Sequence, residues 1–208
     1  MSSASAPRQR NPRGQGGALR DDILEAATDL LEEGGNEDAV SLRAVARRVG
    51  ISAPAIYAHF SDREAILEAV VDDAFADLLT AISQAIEGQI DPVRRLRDAC
   101  LTYWDFATNH LGRFKLLFDR NRTATEGIPK AESVDTMIGA EAFATLITGI
   151  EGCVAAGRST SDDPVRDATM LWITLHGYAT LHQTVPYFPW PDREELIDNL
   201  LTRLALVN

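Results

Sequence analysis

Cysteine is almost absent from this 208-residue chain, with only Cys100 and Cys153, and lysine is equally scarce against 18 arginines. Both cysteines fall in apolar helical patterns and read as buried thiols in a reducing compartment, not as a disulfide or a redox switch. No apolar run approaches the ~20 residues that cross a bilayer. The arginines near the start have no apolar segment behind them, which argues against a secretory signal and for a cytoplasmic location. Runs of alternating β-branched residues bounded by hairpin turns are missing, as is any internal repeat. Catalytic signatures are missing too: there are no Glu-x-x-His pairs of a di-iron bundle, no phosphate-binding glycine loop, no Cys-x-x-Cys and no His-Glu-x-x-His. No cofactor and no metal are expected, and an all-helical enzyme is the weaker reading.

What is present is an uneven distribution of charge. The net charge of −11 conceals a basic start, with Arg8, Arg10, Arg13 and Arg20 and no acid in residues 1–20. Residues 39–61 again carry arginine only, at Arg43, Arg47 and Arg48, whereas residues 64–208 hold 12 basic and 22 acidic side chains. A localised basic face on an acidic body fits docking on nucleic acid at one surface better than non-specific binding all over.

Residues 1–18, rich in Ser, Pro, Gly, Gln and Arg without a hydrophobic period, read as a disordered basic arm. The rest reads as helix. A first amphipathic helix spans Leu19 to Glu33 and ends at Gly34-Gly35. A second, capped by Ser41, carries the stripe Leu42, Val45, Ala46 and Val49. Gly50 turns the chain, and Ser52 caps a third helix, with Pro54 in its first turn, that stops near Phe60. A fourth helix runs from Asp62 to about Glu87, nearly 40 Å at ~1.5 Å per residue. Further helices are expected from Asp91-Pro92, over 112–119, 132–156 and 163–184, and at Leu196–Leu204. Residues 120–131 and Pro186–Pro191 read as loops.

The run SLRAVARRVGISAPAIYAHF at 41–60 supplies the parts of a helix-turn-helix: a short helix, a glycine turn and a second helix able to lie in the major groove. Leu42, Val45, Ala46, Val49, Ile51, Ile56 and Phe60 would clamp the two helices. Arg43, Arg47, Arg48, Ala53, Ala55, Tyr57 and His59 would face outward. Residues 19–67 as a whole resemble the DNA-binding domain of the tetracycline-repressor (TetR) family, through the Gly-Gly end of the first helix, the ARRVGIS turn and the AIYAHFSDREAIL run. The resemblance implies an all-α fold with a three-helix head at 19–63. A long helix joins that head to a larger ligand-binding and dimerising domain at 64–208. It implies phosphate contacts from Ser41, Tyr57 and His59, and from Arg63 where the family usually has lysine. Arg43 sits where some relatives read guanine, and arginine suits guanine O6 and N7. Ala53 and Pro54 offer only apolar contact to thymine methyls, and Arg47 is either a DNA contact or solvated surface.

In the C-terminal part, aromatic residues mark a possible ligand cavity, with Tyr103, Trp104, Phe114, Phe118, Trp172 and His176 as its candidate wall; the alternative for each is plain core. LWITLHGYATLH at 171–182 resembles a Trp-x-x-x-His-Gly signature of one TetR subgroup. Trp172 and His176 share a face, and Gly177 suggests close approach of another helix. His182 lies on a different face, so the two histidines do not form a metal pair. The final two long helices are expected to make a homodimer, with the stripe Leu196, Leu200, Leu201 and Leu204 supplying a leucine-rich face, since such proteins read pseudo-palindromic double-stranded DNA with two-fold symmetry. The expected function is a repressor released from its operator by a small apolar or aromatic effector. A helical adaptor using the same surface to bind protein is the other alternative.

Overall fold

Helix starts in this protein are written as side chains that satisfy free backbone N–H groups. In the computed structural model, which describes residues 16–118 and 139–208, Ser41 Oγ accepts from the Ala44 N–H at 3.2 Å and Asp62 Oδ1 from Ala65 at 2.8 Å. Asp91 accepts from Val93 at 2.9 Å, and Asp163 and Asp192 cap two later helices in the same way. Proline occupies the first turn after Ser52, Asp91 and Asp163, where its missing N–H costs nothing.

The resulting helices are α1 (Gly16–Gly34), α2 (Leu42–Val49), α3 (Ala53–Ile56), α4 (Arg63–Ile86), α5 (Pro92–Asn109), α6 (Leu111–Phe118), α7 (Ala140–Ala155), α8 (Pro164–Thr184) and α9 (Arg193–Leu204). A 3-10 turn at Glu37–Ala39 lies between α1 and α2. Among the described residues there is no β-strand, only one isolated bridge between Ser159 and Val207. No described helix is long and apolar enough to cross a membrane.

One continuous hydrophobic core runs through the helices. Ile23, Ala27 and Leu31 of α1 pack with Val45 and Ala46 of α2, Ile56 of α3 and Ile66 and Leu67 of α4, all nearly or fully buried. Beyond Val70 the same α4 turns its buried face to α5, and α5 packs on α7 and α8. Fully burying each such side chain is worth roughly 1.5–3 kcal/mol, so α4 is held firmly at both ends. At ~1.5 Å per residue its 24 residues reach about 36 Å.

Two expectations shift and one lies beyond the described residues. Helix α1 begins at Gly16, three residues before Leu19, so only residues 1–15 of the expected arm lie outside the described part. The third helix ends at Ile56, not Phe60; Tyr57–His59 form a turn in which the His59 and Phe60 N–H groups both donate to the Ile56 carbonyl, at 2.8 and 3.0 Å. The expected loop at 120–131 and the start of the next helix at 132 fall outside the described residues.

Candidate nucleic-acid interface and core cavity

The turn between α2 and α3 is built on Gly50, whose φ of +80° is the left-handed conformation that other residues resist. It lets the Gly50 and Ile51 N–H groups both donate to the Ala46 carbonyl at 2.9 Å. Val45, Ala46, Val49, Ile56 and Phe60 are buried as expected, while Leu42 and Ile51 are only half-buried. Arg43 and Arg47, four residues apart and therefore on one face of α2, are both exposed, as are Ser41 and Pro54; Ala53 and His59 are half-buried. Tyr57 is 58% exposed, so core packing does not account for it. Arg20 caps this layer from α1, its guanidinium 5.1 Å from the centre of the Phe60 ring.

Two arginines are otherwise engaged. Arg48 reaches back to α1, 2.5 Å from Glu33 and 3.4 Å from Asp29, which takes it off the outward set. Arg63 donates from Nε to the Val40 carbonyl at 2.7 Å and from a terminal nitrogen to the Glu37 carbonyl at 2.6 Å, and pairs with Glu64 at 3.0 Å. This guanidinium ties the start of α4 to the turn that precedes α2, a positioning role the sequence reading missed.

The second site is a cavity of about 40 Å³ walled by α4, α5, α7 and α8, with Phe118 at the end of α6. Its residues include Phe75, Leu78 and Ile82 of α4, Tyr103 of α5, Phe143 and Leu146 of α7 and Trp172 of α8. Of the six candidates, Tyr103, Phe118 and Trp172 reach it. Phe114 and His176 stand behind: the His176 ring stacks on Phe114 with centroids 5.1 Å apart, and its Nδ1 is 3.0 Å from the Tyr103 hydroxyl. Burial pushes the Tyr103 phenol well above its ordinary pKa, partly offset by hydrogen bonding to Trp172. Trp172 and His176, one turn apart, thus serve the same hydroxyl. Trp104 belongs elsewhere: it stacks on Tyr178 at 4.0 Å and meets the His182 ring edge-on at 5.0 Å. Phe75, Leu78 and Ile82, which line the cavity from α4, were not singled out in the sequence.

Among the described residues, Gly177 has no atom within 4 Å of where a Cβ would stand, so no described helix approaches it closely within the protomer. Leu201 is buried inside the protomer, and Leu196, Leu200 and Leu204 are half-buried against the core. The exposed apolar positions lie on α8 instead, at Met170, Ile173 and Leu181. Cys100 and Cys153 are free and buried, and desolvation raises the Cys100 thiol to about 12. Among the described residues, no group of three or more His, Cys, Asp or Glu side chains is placed to hold a metal ion.

Known proteins share both regions. Residues 23–70 match the family of bacterial regulatory proteins of the tetR type, and residues 96–204 match the tetracyclin repressor-like C-terminal domain. The transcriptional activator FasR of Mycolicibacterium smegmatis is 26% identical over 136 residues, 65% of this chain and 62% of its own length. The class A tetracycline repressor from transposon 1721 of Escherichia coli is 31% identical over 121 residues, 56% of this chain and 50% of its own. The chain thus spans between half and just under two thirds of these relatives. A solved structure of a Rhodococcus sp. RHA1 protein of unknown function superposes with a TM-score of 0.75 at 28% identity, over 94% of this chain and 100% of that one.

Proposed function

Since the chain belongs to the TetR family of bacterial regulators, we propose that it is a transcriptional repressor that leaves its operator when a small apolar molecule occupies the α4–α8 cavity. One observation carries this reading: α4 supplies Phe75, Leu78 and Ile82 to the cavity wall, and its first residue, Arg63, is bonded to the turn that sets α2. A displacement of one helix therefore reaches both sites. The head at 19–63 reads DNA, and 64–208 senses the effector and dimerises. Ser41, Tyr57 and His59 bind phosphate, Arg43 and Arg47 present guanidinium groups to the groove, and Ala53 and Pro54 meet thymine methyls. A protein acting on the chromosome works in the cytoplasm, as a homodimer on a pseudo-palindromic site.

Of the last two helices, the dimer reading falls on the exposed face of α8, where Met170, Ile173 and Leu181 flank Gly177. Activation, the role in FasR's name, would use the same contacts with the opposite effect on a reporter.

The test is operator titration with variants of exposed residues. Tyr57→Ala should weaken binding to every sequence with base preference kept. Arg43→Ala should cost on the order of 1–3 kcal/mol and relax discrimination at one base pair per half-site. If Tyr57→Ala changes base preference instead, or Arg43→Ala leaves specificity intact, the assignment of these two residues falls.

A further inference from the structure

The chemistry of the cavity wall narrows the effector further than "apolar". This step rests on the reading of the cavity as the effector site. Among the described residues, none of those lining it carries a charge. A carboxylate or ammonium entering there would surrender its hydration with no counter-charge opposite, the costliest form of burial.

Five of the lining residues are aromatic. The Phe118 ring stands among three of them, with centroids 6.2 Å from Phe75, 6.3 Å from Trp172 and 6.4 Å from Tyr103, at interplanar angles of 82°, 51° and 62°. These are the edge-to-face and tilted arrangements that aromatic rings prefer. The free space of about 40 Å³ holds no more than a few waters, so a ligand must gain room by moving a side chain. Phe75, Phe118 and Trp172 are the half-buried rings of the wall; of these only Phe118 stands at the last residue of its helix, and its displacement would vacate the volume of one ring.

Two hydroxyl-bearing residues belong to this wall among the described ones, Thr145, which donates to the Glu141 carbonyl of its own helix at 3.2 Å, and Tyr103. The Tyr103 oxygen is 3.0 Å from His176 Nδ1, and burial keeps the phenol protonated. A phenol has one proton to donate and two lone pairs to accept with, and His176 Nδ1 and Trp172 engage two of these three, which leaves one for a ligand hydroxyl. We infer that the cavity takes an uncharged compound of about one aromatic ring bearing a single hydroxyl, read by Tyr103, and turns away carboxylates and amines of the same size.

The test uses the full chain without DNA and four isosteric probes: benzyl alcohol, toluene, benzoate and benzylamine. Calorimetry should show benzyl alcohol binding roughly fivefold tighter than toluene and at least about tenfold tighter than either charged probe. Tyr103→Phe should make benzyl alcohol and toluene equal. Ala142→Leu, which fills the cavity from α7, should abolish binding of both without lowering Tm. Equal or tighter binding of benzoate or benzylamine, no binding by any probe, or binding that survives Ala142→Leu overturns the inference. Operator titration separates it from the regulatory reading. A neutral probe that binds but leaves operator affinity unchanged sinks the regulatory reading and keeps this one. A charged effector that releases the operator does the reverse.

Discussion

At the scale of single residues, the arginines show how a charge is assigned by its neighbours. Arg43 and Arg47 stand exposed on one face of α2, whereas Arg48 is held by Glu33 and Asp29 and Arg63 by two backbone carbonyls. The sequence shows four basic residues near one motif; the partners that divide them lie 15 to 26 residues away and leave no periodic signal. Arg63→Ala should lower stability by about 1 kcal/mol, since it strips partners from part-buried carbonyls, and Tm should fall by a few degrees. A purely phosphate-binding Arg63 would leave Tm alone and reduce only the salt slope of DNA binding. His110 makes a second case. Arg113 donates into its Nδ1 at 2.6 Å, which requires the neutral ring, although Glu32 lies 3.9 Å from the same atom. Desolvation and then the Arg113 charge lower its pKa below the ordinary 6.5. The unfolded chain therefore takes up a proton there before the folded chain does, and stability declines as pH falls below about 6.5. Melting curves from pH 7.5 to 5.5 should be flatter for His110→Gln than for the parent; equal slopes would remove His110 from the acid sensitivity.

At the scale of elements, Gly177 is the position whose meaning changed most. A glycine inside a helix costs about 1 kcal/mol relative to alanine, and here nothing among the described residues lies against it. Its neighbours on α8, Ile173 at 56% exposure and Leu181 at 50%, are apolar. Gly177→Leu should leave the protomer folded, with helicity equal or higher, while sedimentation shows loss of the dimer and operator affinity falls by roughly tenfold or more. A variant that remains fully dimeric would rule out this face of α8. Helix starts were legible at Ser41, Asp62, Asp91 and Asp163 because a cap is a local device, one side chain bonding N–H groups two or three residues on. The end of α3 was not, because apolar spacing is the same whether Tyr57–His59 continue a helix or close a turn. The cavity was half legible for a related reason. Tyr103 and Trp104 are both buried aromatics in α5, but successive residues point ~100° apart, so one faces the void and the other faces Tyr178. Periodicity identifies an apolar face and does not say which edge of that face meets empty space.

At the scale of the whole molecule, the cavity touches the head by two routes. One is α4 itself. The other is α6, whose last residue, Phe118, lines the cavity and whose first turn is locked to the end of α1. There the Gly112 N–H donates to Glu32 at 2.9 Å, and a Cβ on Gly112 would collide with the Leu31 carbonyl, so the two backbones meet without intervening side chain. Arg113 completes the joint, 2.9 Å from Glu32 of α1 and 2.7 Å from Asp77 of α4, so the two routes converge on one guanidinium. On the proposed function, a ligand that displaces Phe118 pushes on α1 and α4 together and so would change the spacing of the recognition elements of a dimer on DNA. Coupling of this kind is typically worth ~1–3 kcal/mol, a several-fold to hundredfold change in operator affinity. Arg113→Gln should leave effector affinity in the absence of DNA nearly unchanged, because Arg113 does not line the cavity, and reduce the coupling to a few-fold or less. Linkage supplies an internal check: in the parent protein, saturating operator DNA must weaken effector binding by the same factor by which the effector weakens operator binding. Both factors should shrink together in Arg113→Gln. If the variant retains the parent's full coupling in both directions, the joint between α6, α1 and α4 is structural only, and the signal travels along α4 alone.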